Sequence, residues 1–286
     1  MTSFPSTGPI AAFIDLQWGD IHVTTGDAHH VVVDVTPTDP SNEKDVRAAE
    51  GTTIECADGR LEVRGPKNRT GIVNKKFGSV QVAVTMAEGS QLDAASGLGV
   101  VGVEGRLGAC QVKTSAGDIH VQDTASAQLK TGMGVVVARD IAGDAYCSTG
   151  SGAVRIDRIG GRGEVKNSNG DTLIGESGGP LRVKSANGAV TVDLARADVH
   201  ATTANGDLRV GSAGSGSVQL KTSMGRIEVG IPTGTAALLD LSTSFGTVRN
   251  GLESVGGPAA GERTVEVHAQ TSAGDIDVVR VDDVAS

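Results

Sequence analysis

The chain has 286 residues, a net charge of −9 and only 2% aromatic residues. The acidic balance excludes nucleic acid as a general partner, because phosphate binding needs a basic footprint, and the scarcity of rings excludes a compact core built on large aromatics. No run of about 18 apolar residues occurs, so no membrane span is expected, and Cys56, Cys110 and Cys147 form no CxxC pair, which reads as reduced core thiols and no zinc site.

The first residues, Met1-Thr-Ser-Phe-Pro-Ser-Thr-Gly-Pro, carry neither a basic nor an apolar leader region, and a cytoplasmic location is expected. Gln17-Trp18-Gly19-Asp-Ile-His-Val, Ala57-Asp-Gly59-Arg-Leu-Glu-Val and Lys76-Phe77-Gly78-Ser-Val-Gln-Val are loose copies of a pattern that becomes regular later. Between the first two, the stretch from Thr36 to Glu50 predicts a turn and one short helix near 41–50, with Ser41 as its N-cap. Residues 1–90 are therefore expected to be an irregular cap, since terminal repeats must close an open core.

From 91 to 286 the pattern is regular. Gly117, Gly134, Gly152, Gly170, Gly188, Gly206 and Gly225 follow one another at steps of 17, 18, 18, 18, 18 and 19 residues. Counting each coil from its glycine, positions −7, −5 and −3 alternate with polar neighbours, and so do +2 and +4. Val199, Ala201, Thr203, Leu208 and Val210 are one such set. Period-two alternation puts these residues on one face. Each coil thus holds two short strands meeting at a glycine turn, and strands so short must pair with the coils above and below. The expected fold is all-β, a single-stranded parallel β-helix with coils of about 18 residues and a right-handed path. Position −3 is small and polar (Thr114, Thr131, Asn167, Thr203, Thr222), a hydroxyl ladder suited to backbone groups freed by the turn. Further coils follow at Thr243-Ser-Phe245-Gly246 and Thr271-Ser-Ala-Gly274, separated by a loop at 251–263. Val278-Val-Arg-Val-Asp-Asp is expected to close the C-terminal end.

These T-x-x-G-D-I-x-V coils, with Val33-Asp-Val-Thr-Pro-Thr-Asp-Pro, Asp45-Val-Arg-Ala-Ala-Glu50 and Val165-Lys-Asn-Ser-Asn-Gly-Asp171, resemble the bacterial DUF4097 family of adhesin-like β-strand repeats, in its actinobacterial form. The resemblance spans nearly the whole chain. It implies a parallel β-helix and supplies no catalytic residues.

Three ladders face outward in this reading. Position −4 carries Lys113, Lys130, Lys166, Lys184 and Lys221, either a solvated strand face or a stripe for an anionic partner. Positions +5 and +6 carry Asp123, Asp140, Asp157, Glu176 and Asp193, a hydrated acidic corner without the calcium β-roll motif. Position −1 carries Asn169, Asn187 and Asn205, which tolerate turn geometry, but elsewhere Trp18, Phe77, Leu98, Met133, Met224 and Phe245. Bulky apolar groups at a turn either tuck under a cap or form an interface. The six histidines form no ligand set. No cofactor or metal site is expected, and no phosphate-binding loop or nucleophile elbow occurs.

The resulting expectation is a non-enzymatic scaffold or binding module that presents its ladders to a protein or polymer. One alternative is a self-assembling or oligomeric structural protein, since poorly capped β-helix ends pair. The others are a carbohydrate-active β-helix enzyme or a surface adhesin.

Overall fold

The computed structural model of the chain describes residues 1–27, 29–66, 78–253, 257–258 and 261–283. It divides into two units, Met1–Ile141 and Ala142–Ser286. Each is built of stacked parallel strands, and the fold is the parallel β-solenoid that the coil spacing predicts.

In the second unit, Leu181–Asn187 lies between Gly163–Asn169 and Val199–Thr202, with Val183 opposite Val165 and Ala201. After the glycine turn, Val190–Ala195 lies between Thr172–Ser177 and Leu208–Ala213, with Val192 opposite Ile174 and Val210. All six of these inward residues are buried. Such aliphatic columns fill the narrow interior without rings, each buried Val or Ile contributing about 1.5–3 kcal/mol relative to exposure.

The corner demands glycine for two reasons. At Gly188 φ is +131°, outside the range of L residues. A Cβ there would also stand 2.2 Å from the carbonyl oxygen of Gly170 on the adjacent rung. Around the corner the freed backbone groups are capped by side chains. Thr131 Oγ1 donates to the Gly117 carbonyl at 3.0 Å, and Thr222 Oγ1 donates to the Gly206 carbonyl at 3.1 Å, which is the role read for the −3 ladder.

The Asp after the glycine has a matching role that the sequence pattern left unassigned. In the first unit, Asp20 and Asp118 accept the backbone N–H of Val100 and Val135 on the next rung at 2.8 and 2.7 Å. In the second, Asp171, Asp207 and Asp275 accept those of Ala189, Arg226 and Thr247 at 2.9, 2.8 and 2.9 Å. Within each unit the acceptor occurs on alternate rungs. Two carboxylates on adjacent rungs would stand about 4.8 Å apart and repel.

The first unit begins less regularly. Ala11–Gly26 is one long strand that turns its corner at Gly19. Its first half pairs in parallel with Arg60–Arg64 and Gln91–Leu98, and its second half with Val80–Ala87 and Val101–Ala116. Antiparallel strands then cover these: Thr53–Ala57 on Arg60–Arg64, His30–Pro37 on Val80–Ala87, and Thr2–Pro5 on His30–Pro37. The loose copy at Gly59 is therefore a hairpin turn, with φ of 50° at Asp58 and 72° at Gly59, and not a solenoid corner. The helix is present at Glu43–Glu50, capped by Asn42, whose side chain accepts from Lys44 N at 3.1 Å. Ser41 does not cap it; its hydroxyl donates to Asp39 at 2.7 Å. Buried Asp45 accepts the backbone N–H of Ser79 at 2.9 Å and so ties the helix to the strand that follows.

The largest departure lies at the other end of the sequence. Gly216–Met224 pairs with Arg263–Ala273, and Thr235–Phe245 pairs on the far side of Arg263–Ala273. Likewise Ile227–Pro232 pairs with Ile276–Val281, and Val248–Asn250 lies beyond it. The chain skips one rung, lays down the outer rung, then returns to fill the gap. The outermost rung is Thr235–Asn250, and the segment from Val278 to Asp283 does not close the end. Parallel rungs present equivalent edges, so the repeat identifies each rung without fixing its place. The Asp alternation does carry that place. In spatial order the +1 residues run Asp207, Arg226, Asp275, Thr247, whereas in chain order Arg226 and Thr247 would be neighbours.

Candidate functional site

Outward residues on the first strands of the second unit form two parallel columns. In one, Glu164, Arg182, His200, Gln219, His268 and Asp240 stand opposite one another rung by rung. In the other, Lys166, Lys184, Thr202, Lys221, Gln270 and Ser242 do the same. Parallel register places successive members about 4.8 Å apart.

Charge is unevenly satisfied along these columns. Lys166 Nζ donates to Glu164 Oε1 at 2.7 Å and lies 5.2 Å from the Tyr146 ring centroid, a cation–π contact. The Lys166 hydrogen bond holds the Glu164 carboxyl below the usual carboxylate range, and the nearby positive charges of Arg182 and Lys184 add to that. Arg182, Lys184 and Lys221 are exposed and have no ion-pair partner among the described residues. Beyond them a groove of about 490 Å³ is lined by His200, Gln219, Lys221, His268 and Gln270, with Asp240 and Ser242 from the outermost rung. In it His200 Nδ1 lies 3.1 Å from Gln219 Oε1. His268 lies between two carboxylates, Nδ1 3.3 Å from Asp240 and Nε2 3.0 Å from Glu266. Those hydrogen bonds, Asp240 first and Glu266 second, raise the imidazole above its ordinary value.

The predicted lysine stripe is thus placed as follows. Lys113 and Lys130 face each other in the first unit. In the second unit Lys166 and Lys184 are adjacent, and Thr202 separates Lys184 from Lys221. Arg182 and the His268 cluster were not singled out in the sequence. Arg182 was legible from strand alternation, whereas His268 stands beside Gln219 only because of the exchanged rungs.

The −1 residues also form columns. In the first unit Trp18 stands opposite Leu98, with Ala116 between Leu98 and Met133. Trp18 is half-buried, while Leu98 and Met133 are exposed. Phe77 lies outside the described residues. In the second unit Met224 and Phe245 flank Ala273, and both are exposed. Asn169, Asn187 and Asn205 form a hydrogen-bonded amide ladder at 2.9 Å per step.

The acidic positions are largely engaged by arginines of neighbouring rungs. Asp123 pairs with Arg139, Glu176 with Arg196 at 2.7 Å, and Asp193 with Arg209 at 3.5 Å. Among the described residues no three His, Cys, Asp or Glu side chains converge as a metal site would require, and no helix is long and apolar enough to cross a membrane. Cys110 and Cys147 are buried free thiols, the latter pushed up to about 12 by burial. Cys56 is a free thiol but only half-buried, on the antiparallel cap and not in the core.

Comparison with known proteins places this architecture. A family model described as Toastrack DUF4097 matches residues 12–283. Solved structures that resemble the chain include a candidate cell adhesion protein of Clostridium sporogenes, 12% identical, covering 98% of this chain and 97% of that one, with a TM-score of 0.23. A candidate adhesin of Bacteroides fragilis is 12% identical over 97% of this chain and 95% of that one, TM-score 0.33. A candidate lipid binding protein of Parabacteroides distasonis is 10% identical over 97% and 95%, TM-score 0.42. No curated protein matches the chain.

Proposed function

This chain belongs to the Toastrack DUF4097 family, and from that premise we propose that it is a non-enzymatic binding module whose outward columns on the second unit hold an extended anionic polymer. One observation carries the reading. In a chain of net charge −9, Arg182, Lys184 and Lys221 stand on nearby rungs of a single face without carboxylate partners among the described residues. Lys184 and Lys221 stand two rungs apart, about twice 4.8 Å, with Arg182 on the rung of Lys184, so an extended chain bearing repeated carboxylate or phosphate groups engages several cations at once. Each exposed contact is weak, and avidity comes from their number. The groove beside Lys221 supplies the hydrogen-bonding groups, Gln219, Gln270 and Ser242, that a polyhydroxylated backbone requires.

The test is titration of the chain with polygalacturonate and with poly-glutamate at low salt. Binding should weaken at least tenfold in R182E/K184E and should fade as salt shortens the screening length. Equal binding by the variant, or none by the unaltered chain to either polymer, removes the reading.

A further inference from the structure

We propose that a second copy of this chain docks on the outermost rung of the second unit, pairing its Thr235–Phe245 strand antiparallel to the same strand of the first copy. The argument is independent of the anionic-polymer reading.

The rung is open in two respects. Among the described residues Thr235–Phe245 pairs only with Arg263–Ala273, and Val248–Asn250 only with Ile276–Val281. Their outer edges therefore present unpaired backbone groups, the feature that recruits another strand. The interior is also uncovered. On the rung beneath, Val267 and Ala269 are 0% and 1% exposed. The equivalent Leu239 and Leu241 are only half-buried, and on the same rung the outward Leu238 and the corner Phe245 are 68% and 78% exposed. In the first unit the chain closes its initial rung with its own antiparallel strands, and Leu61, Val63 and Val84 beneath them are buried. No such cover lies over Thr235–Phe245 among the described residues.

Charge selects the occupant. The strand TAALLDLSTSF carries one ionisable group, Asp240, which His268 already faces at 3.3 Å. On the neighbouring strand Arg249 is held by Asp275 at 3.0 Å and Asp277 at 3.2 Å. The edge therefore offers nothing to a strongly charged partner. Two copies of a chain with net charge −9 repel at a distance, so they can meet stably only where the local charge is balanced, as it is here. Centred on Leu241, a two-fold antiparallel register places Leu239 against Thr243 of the mate, Asp240 against Ser242, and Ala237 against Phe245. Leu241 meets Leu241 of the mate, and no like charges face.

The register makes the test specific. Ser242 is exposed and points away from the core, so substitution there leaves the rung intact. S242D sets a carboxylate against Asp240 of the mate, while S242K sets an ammonium there. Sedimentation equilibrium from 1 to 200 μM (roughly the range in which weak standard interfaces form) should give the unaltered chain a mass approaching twice 28.9 kDa. S242D should dissociate at least tenfold more readily and S242K less readily, with unchanged melting temperatures. R182E/K184E should dimerise normally. A chain that stays monomeric, assemblies larger than two, or equal behaviour of S242D and S242K would overturn the proposal.

Discussion

His268 and Asp240 face each other on adjacent rungs, Nδ1 to Oδ2 at 3.3 Å, although the chain visits the Asp240 rung first and the His268 rung second. The exchange of the last two rungs puts the His268 rung inside, beside Gln219, and the contact ties the outermost rung to it.

That contact has a pH signature. Asp240, and then Glu266, raise the His268 pKa in the folded state above its unfolded value of about 6.5. A raised imidazole contributes stability that is fully present below the unfolded pKa and is lost as pH rises through the folded one. The melting temperature of H268Q should therefore fall below that of the unaltered chain near pH 5–6 and converge with it at alkaline pH. A gap that stays constant from pH 5 to 9 contradicts the pairing.

The alternation of aspartates predicts that an extra one is harmful. Ala189→Asp places a carboxylate between Asp171 and Asp207 on the flanking rungs. Two repulsions at about 5 Å, screened as in bulk water, total at least about 1–2 kcal/mol. Urea denaturation should show that loss at pH 7 and low salt, and less of it in about 1 M salt, where the charges are screened. Equal stability at pH 7 would show that the alternation has no electrostatic basis.

Corner glycines should be far less replaceable than turn glycines. Gly188→Ala combines a φ of +131° with a 2.2 Å approach to the Gly170 carbonyl, and should cost about 3 kcal/mol or more. Gly234→Ala, with φ of 72° and open space around the new methyl group, should cost only about 1 kcal/mol. Thermal melts of the two variants measure the contrast, and a smaller loss for Gly188→Ala would contradict the account of the corner.

The inward columns predict a severe effect of charge. Val183 is 0% exposed and packs between Val165 and Ala201. Val183→Asp strands a carboxylate in the interior and should lower stability by about 4 kcal/mol or more, with loss of amide protection spreading to neighbouring rungs. An unchanged melting temperature would mean that the residue does not face inward.

The amino-acid sequence by itself determined the rung. Alternation at positions such as Val199 and Ala201 identifies the inward face, because a strand's side chains change sides at every residue. Gly188 marks the corner, because no other residue fits its backbone, and Thr222 marks the carbonyl cap. These are short-range constraints, each written within one eighteen-residue window. Only the tertiary structure decided which rungs are neighbours. A parallel rung offers the same backbone edge to any other rung, so nothing within Thr235–Phe245 or Arg263–Ala273 states their order. The long connection between them allows the exchange, and the aspartate alternation accords with it. The N-terminal antiparallel cover was hidden for the same reason: Asp58-Gly59 spells a glycine turn, but pairing partners decide whether that turn ends a hairpin or bends a solenoid. The groove at His268 and the open edge at Leu239 and Leu241 both follow from rung order, so they belong to the fold and not to the repeat.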